Sequence, residues 1–342
     1  MKNGAGTRRA KRNLVQGSSG VAEMLASRVV GQSPALDAIV PCVEMYQAGL
    51  SPEGRPAGVF LLLGPTGTGK THTVEALADV LHGSEKCLLR IDCGEFQLEH
   101  EVAKLIGAPP GYLGHRETQP LLTQQKLNMA ASEGCGLSLV LFDEIEKAAP
   151  SLTRLLLGIL DRGTLRLGDN AVVNFERSLI FLTSNLGARG MMRELRPVFG
   201  FEAGVPKERA SVDRKLANIG REAVKRKFSP EFVNRIDHVI TYRPLDGDSL
   251  SRILDRHISD FQRHVNSRLG PDGFGIEVPS ETRRFLLRKG TSAEYGAREL
   301  KRTLHRHLTQ PLAALVAGGR IEPGSSVRIE IDEDEDDVFI RY

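Results

Sequence analysis

The octapeptide Gly64-Pro65-Thr66-Gly67-Thr68-Gly69-Lys70-Thr71 follows the apolar run Val59–Leu63 without a gap and leads straight into a helical pattern. An apolar strand, then G-x-x-x-x-G-K-[ST], then a helix leaves a chain few folds to choose from. The glycines must turn backbone N–H groups inward on phosphate oxygens, while the start of the helix supplies partial positive charge. Lys70 is then expected to reach the β- and γ-phosphates of a nucleotide, and the Thr71 hydroxyl to hold Mg²⁺.

A second element completes the chemistry. Leu139-Val140-Leu141-Phe142-Asp143-Glu144 is an apolar strand ending in two adjacent carboxylates. Successive side chains of a strand point to opposite faces, so the two acids cannot do the same job. Asp143 suits the Mg²⁺ shell, and Glu144 suits the base that orients and polarises an attacking water. A glutamate directly after the metal-binding aspartate favours hydrolysis of ATP by water over transfer to a small molecule. Asn234-Arg235-Ile236-Asp237 superficially resembles the guanine-reading N-K-x-D, but arginine replaces the lysine and the segment precedes a strand instead of following one, which argues against GTP.

From about residue 59 to 242 short apolar runs alternate with helical patterns, the signature of a largely parallel sheet covered by helices. Strands are predicted at Val59–Leu63, Leu88–Asp92, Leu137–Phe142, Leu179–Thr183 and Val239–Tyr242. Val74, Leu77, Ala78 and Leu81 make one buried helical stripe, and Leu152, Leu155, Leu156, Ile159 and Leu160 another. The charged, Pro- and Gly-broken stretch from Met191 to Arg226 is expected to be a long loop followed by a helix. After Pro244 come Arg- and His-bearing helices and short terminal strands. The expected organisation is a basic disordered tail at 1–20, a nucleotide-binding domain at 21–243 and a smaller domain at 244–342.

Composition narrows the function classes. At 342 residues, 40% hydrophobic and 26% charged, the chain has the make-up of a soluble globular protein. It has no apolar stretch of membrane-spanning length and no signal-like N-terminus, so a cytoplasmic address is expected. Cys42, Cys87, Cys93 and Cys135 form no C-x-x-C pair and read as small buried apolar residues. A net charge of +3 does not argue for nucleic acid. Lys2, Arg8, Arg9, Lys11 and Arg12 lie in the leader, and the acidic run Asp332 to Asp337 reads as the solvated tip of a hairpin between Val327–Ile331 and Val338–Ile340.

From about Ser27 to the C-terminus the chain resembles the second ATPase module of the Clp-type AAA+ unfoldases and disaggregases ClpB, ClpC and ClpA. The resemblance is carried by Val29-Val30-Gly31-Gln32, Gly107-Ala108-Pro109-Pro110-Gly111-Tyr112-Leu113-Gly114, Asp143-Glu144-Ile145-Glu146-Lys147-Ala148, Thr183-Ser184-Asn185-Leu186-Gly187, Pro230 to Asp237, and Tyr295-Gly296-Ala297-Arg298. It implies an α/β core whose parallel five-stranded sheet has the order 5-1-4-3-2, with a smaller α+β lid. It further implies that Asn185 is a sensor placing the lytic water and that Arg235 is an arginine finger presented to the ATP of a neighbouring subunit. Arg298 matches a second sensor on the lid, and Val29 and Val30 match the apolar wall beside adenine.

The resemblance also implies a homo-oligomeric ring of six copies, with an unfolded or specific protein as client. Tyr112, set among Pro109, Pro110, Gly111 and Gly114, matches a pore loop that grips threaded polypeptide; an aromatic face suits side chains of any kind. The second aromatic usual in that loop is His115 here. Phe199-Gly200-Phe201 lies where ClpC and ClpA carry a loop for docking a barrel protease. A single module is expected, without a preceding substrate domain, first ATPase module or coiled-coil arm. The rival readings are an AAA+ motor acting on nucleic acid or transcription complexes, which the missing G-A-F-T-G-A loop opposes, and a nucleotide-dependent assembly scaffold.

Overall fold

The computed structural model of the chain describes residues 18–107, 120–195, 209–291, 296–332 and 337–342. Two compact units divide it, Met1–Gly64 with Gly69–Arg243, and Pro65–Thr68 with Pro244–Tyr342.

The first unit is built on a five-stranded sheet. Its strands are β1 (Gly58–Leu63), β2 (Leu89–Asp92), β3 (Ser138–Asp143), β6 (Ser178–Ser184) and β7 (His238–Thr241), with a small ribbon of β4 (Thr164–Arg166) and β5 (Val172–Asn174) between β3 and β6 in sequence. The spatial order is β2-β3-β6-β1-β7, and every pair in it is parallel. Counted along the sheet's own strands, this is the expected 5-1-4-3-2. The three inner strands are buried at every residue. That is why they read as unbroken apolar runs, since helices cover both faces of a parallel sheet.

Alternation sorts those runs into two cores. Val59, Leu61, Leu63, Val140, Phe142, Ile180 and Leu182 face one way, and Phe60, Leu62, Leu139, Leu141, Leu179 and Phe181 the other. Each such side chain contributes about 1.5–3 kcal/mol by leaving water. The helix Lys70–His82 lays Val74, Ala76, Leu77 and Ala78 on the second core and stops at Gly83, whose φ of 73° gives a left-handed cap. Pro150–Arg162, opened by its proline, buries Leu152, Leu156, Ile159 and Leu160 in the first core.

Register then delivers the chemistry to one edge. Leu63 pairs with Ser184 and Phe142 with Leu182, so the next residues, Gly64, Asp143, Glu144 and Asn185, emerge together at the carboxyl ends of the strands. In open α/β sheets that edge is where ligands bind. Gln32 ties the segment before the first long helix to the end of β7: its Nε2 donates to Arg243 O at 2.9 Å, and its Oε1 accepts from Arg243 N at 3.2 Å.

Three expectations need correction. Of the four cysteines expected to be buried, Cys42 and Cys93 are, but Cys87 and Cys135 are only half-buried. The tail does not extend to residue 20, because a helix spans Ser18–Arg28. Val21 and Leu25, one turn apart, are both buried, and Arg28 pairs with Asp79 at 2.7 Å. The stretch after Met191 does not begin as loop either, since Met191 lies within the helix Ala188–Leu195. Its fully buried side chain reaches the notch at Gly220 of the helix Arg209–Lys227, where a Cβ would stand 3.0 Å from Met191 Cε. That packing outweighs the weak helical pattern of the segment.

In the second unit, helices at Gly247–Leu269, Ser280–Gly290, Ala297–Leu304 and Gln310–Ala317 accompany a sheet of β8 (Gly275–Glu277), β9 (Ser326–Asp332) and β10 (Asp337–Arg341). Leu254, Phe285, Leu286, Leu300, Leu312, Val327 and Ile329 form its core. Asp332 faces Asp337 at the end of the β9–β10 ladder. Among the described residues no helix is long and apolar enough to cross a membrane.

Candidate functional site

The loop after β1 is held open by its own backbone. Gly64, Gly67 and Gly69 have φ of 148°, 76° and 97°, values that favour glycine. A Cβ at Gly64 would stand 2.7 Å from Tyr242 O. Thr68, nearly buried, donates from Oγ1 to Pro65 O at 2.9 Å and so closes the turn. Lys70 opens the next helix, and its Nζ curls back to donate to Gly64 O at 2.7 Å and to Asn185 Oδ1 at 2.9 Å.

Asn185 links that cation to the acids. Its Nδ2 donates to Glu144 Oε1 at 3.3 Å, and its backbone N donates to Glu146 Oε1 at 3.0 Å. Glu144 sits in the left-handed region at φ 57°, ψ 49°, which is costly for a residue with a Cβ. The neighbourhood enforces it: Glu144 N donates to Thr183 Oγ1 at 3.0 Å, and Thr183 Oγ1 in turn donates to Asp143 Oδ1. Strain of this sort gathers where a side chain must be aimed.

Asp143 accepts from three directions. Thr71 Oγ1 lies 3.3 Å from its Oδ1, Arg90 Nη2 lies 2.5 Å from its Oδ2, and Thr183 takes the third. A threonine hydroxyl beside a carboxylate is a pair of hard oxygen donors. That set fits Mg²⁺, which takes one or two protein oxygens and completes its shell with phosphate and water. Among the described residues no group of three or more His, Cys, Asp and Glu could hold a metal unaided.

The other expected residues lie apart from this cluster or elsewhere in the chain. Arg235 follows the short helix Pro230–Val233 and pairs with Asp161 at 2.6 Å. Val29 is buried in the core while Val30 is half-buried. Arg298 stands in the first turn of Ala297–Leu304 in the second unit. Tyr112, His115 and the Phe199–Phe201 loop fall outside the described residues.

Sequence reasoning passed over four members of the cluster. Lys147 contacts Glu144 Oε2, and that hydrogen bond pushes the lysine above its ordinary pKa. Arg90 bridges Asp143 and Glu75, the latter at 3.4 Å. Thr183 and Glu146 orient Asp143, Glu144 and Asn185 as described. Thr183, a polar residue closing an apolar strand, was the available signal for one of them. Lys147 follows Glu144 at i+3, and Arg90 had no signal, because its partner comes from a different strand.

Comparison with known proteins identifies the family of each unit. Residues 55–239 match the family described as the AAA domain of the Cdc48 subfamily, and residues 245–329 match the C-terminal D2-small domain of ClpB. The chaperone protein ClpB of Aquifex aeolicus is 38% identical over 311 residues, covering 91% of this chain and 29% of the relative. A homolog of the ClpA ATP-binding subunit of Clp protease from Cyanidium caldarium is 36% identical, covering 92% and 35%. The chain thus spans roughly a third of the length of these curated relatives. Among solved structures, an extended Hsp104–casein complex from S. cerevisiae superposes with a TM-score of 0.81 at 25% identity, covering 97% of this chain and 53% of that one.

Proposed function

The chain belongs to the AAA family, with a ClpB-type small domain after its AAA domain, and on that premise we propose that it is one subunit of an ATP-driven ring that pulls polypeptides through its centre. Residues 21–243 form the nucleotide-binding domain in this reading, and 244–342 the lid.

ATP lies with its phosphates on Gly64 to Thr71 and its adenine beside Val29 and Val30. Lys70 binds the β- and γ-phosphate oxygens, exchanging the carbonyl and amide oxygens that it holds in the structure for charged ones. Thr71 and Asp143 are the residues that would hold Mg²⁺, which when bound neutralises charge on those oxygens. Glu144 takes the proton from a water aligned with the γ-phosphorus, and Asn185 fixes the carboxylate relative to Lys70. Arg235 acts on the ATP of the adjoining subunit as the phosphoryl bond breaks, and Arg298 ties nucleotide state to the lid.

The observation that carries the proposal is the Lys70–Asn185–Glu144 chain of hydrogen bonds, which links a phosphate-binding cation to a candidate base. The work done with the energy is inferred from relatives. ClpB is named a chaperone, and Hsp104 was solved with casein, which supports a protein as client; the six-membered ring and the cytoplasmic address belong to the same reading. Tyr112 grips that client in the pore; a barrel protease docked at Phe199–Phe201 is an optional consumer of the product.

The test is ATPase rate against protein concentration, with and without an unfolded protein, for wild type and Tyr112→Ala. Cooperative activation by assembly is expected, with a Tyr112→Ala protein that still hydrolyses ATP but no longer moves substrate. Stimulation by DNA and indifference to unfolded protein would favour a nucleic-acid motor. Unchanged phosphate release by Glu144→Gln would point to a scaffold.

A further inference from the structure

Arg235 is carried on a turn fixed from both sides. Before it, Ser229 Oγ accepts from Phe232 N at 3.3 Å, and the buried Phe232 ring packs on Phe228 with centroids 5.1 Å apart. After it, Asp237 is locked to β1: its N donates to Val59 O at 3.0 Å, and its Oδ2 accepts from Val59 N at 2.9 Å. Asp237 Oδ1 also accepts from Arg55 Nη2 at 2.5 Å. The backbone at Arg235 therefore has little freedom, while its long side chain keeps many rotamers.

The far end of that side chain meets Asp161, with Nη1 2.6 Å from Oδ1. Asp161 is itself on firm ground. It lies in the last turn of Pro150–Arg162, which ends at Gly163 with φ 60°. Gly163 N donates to Ile159 O at 2.9 Å, and its carbonyl accepts from Phe175 N at 2.6 Å. A Cβ on Gly163 would stand 3.3 Å from the Arg55 backbone, so the platform under Asp161 and the lock on Asp237 share Arg55. The carboxyl end of the helix adds negative potential for the guanidinium.

This pair does little for folding. Its side chains are 39% and 37% exposed, and ion pairs so open to water contribute little to stability. Direction is what it supplies: a carboxylate on one end of a planar fork with five donors restricts where the other donors point. We propose that Asp161 is a positioning residue that pre-orients the Arg235 guanidinium for presentation to the phosphates of ATP on an adjoining subunit. The inference rests on the reading of Arg235 given above. Without Asp161, Arg235 must be ordered anew at each encounter, which lowers the rate of the chemical step and leaves this subunit's own nucleotide pocket intact.

The test is steady-state ATPase kinetics of the full chain as wild type, D161N, R235A and the double variant, with melting curves alongside. D161N is expected to lower kcat about tenfold with KM changed less than about twofold, and to add nothing in the R235A background. D161E, which keeps the charge one methylene further out, is expected to fall between wild type and D161N. A D161N protein with unchanged or raised kcat, or one whose loss multiplies with that of R235A, overturns the proposal. If R235A alone leaves turnover intact, it is the reading of Arg235 that fails.

Discussion

Lys70 Nζ and Asn185 Oδ1 lie 2.9 Å apart, joining the glycine-rich loop after β1 to the end of β6. Because Asn185 also donates to Glu144, one side chain sets the distance between a cation and a carboxylate that would otherwise collapse together or drift apart. Asn185→Ala is expected to lower kcat about 10²-fold while nucleotide affinity changes little, since the residue aims the base and does not carry the phosphate. Stopped-flow phosphate release together with equilibrium nucleotide binding separates the two effects; a large loss of binding with normal release would contradict the assignment.

Gly64 is where the loop tolerates no side chain. With φ at 148° and Tyr242 O 2.7 Å from the place a Cβ would take, Gly64→Ala must displace β7 from β1 or twist the loop. A loss of about 2–4 kcal/mol in unfolding free energy is expected, measured by urea denaturation. Gly83→Ala is the control: its φ of 73° is also left-handed, yet nothing lies within 4 Å, so its cost is the backbone's alone and smaller.

In the second unit, His307 Nδ1 lies 2.5 Å from Asp337 Oδ1. Burial pushes the Asp337 carboxyl up, but the hydrogen bonds from His307 and from Val338 N outweigh it and hold the group below its ordinary 3.8. A depressed carboxylate stabilises the fold above its unfolded pKa and loses that contribution as pH falls through the folded value. The stability gap between wild type and Asp337→Asn is therefore expected to be level above 3.8 and to close below it, as read from melting curves across pH. A gap that widens on acidification would reverse the sign.

Much of this architecture was legible beforehand, and the reasons are local. Val59–Leu63, Leu137–Phe142 and Leu179–Thr183 are apolar throughout because both faces of the sheet are covered, so the inner strands were found to within a residue. The octapeptide and the paired acids could be read because each is contiguous in sequence. Contacts made across strands were not legible: Arg90 reaches Asp143 because Asp92 and Asp143 are register partners, and Arg235 finds Asp161 because two helix ends converge. The helix at Ser18–Arg28 was missed because its two buried residues, Val21 and Leu25, are too few to mark a stripe in a polar leader.

The central claim is that a triphosphate seated against Lys70 is cleaved in this pocket. The measurement is ATP turnover by wild type and Lys70→Ala at concentrations high enough for assembly, with a melting curve to show that the variant is folded. The account predicts a loss on the order of 10²-fold or more, because removing a cation from forming phosphate charge removes several kcal/mol of transition-state stabilisation. A folded Lys70→Ala protein that hydrolyses ATP at the wild-type rate would contradict it.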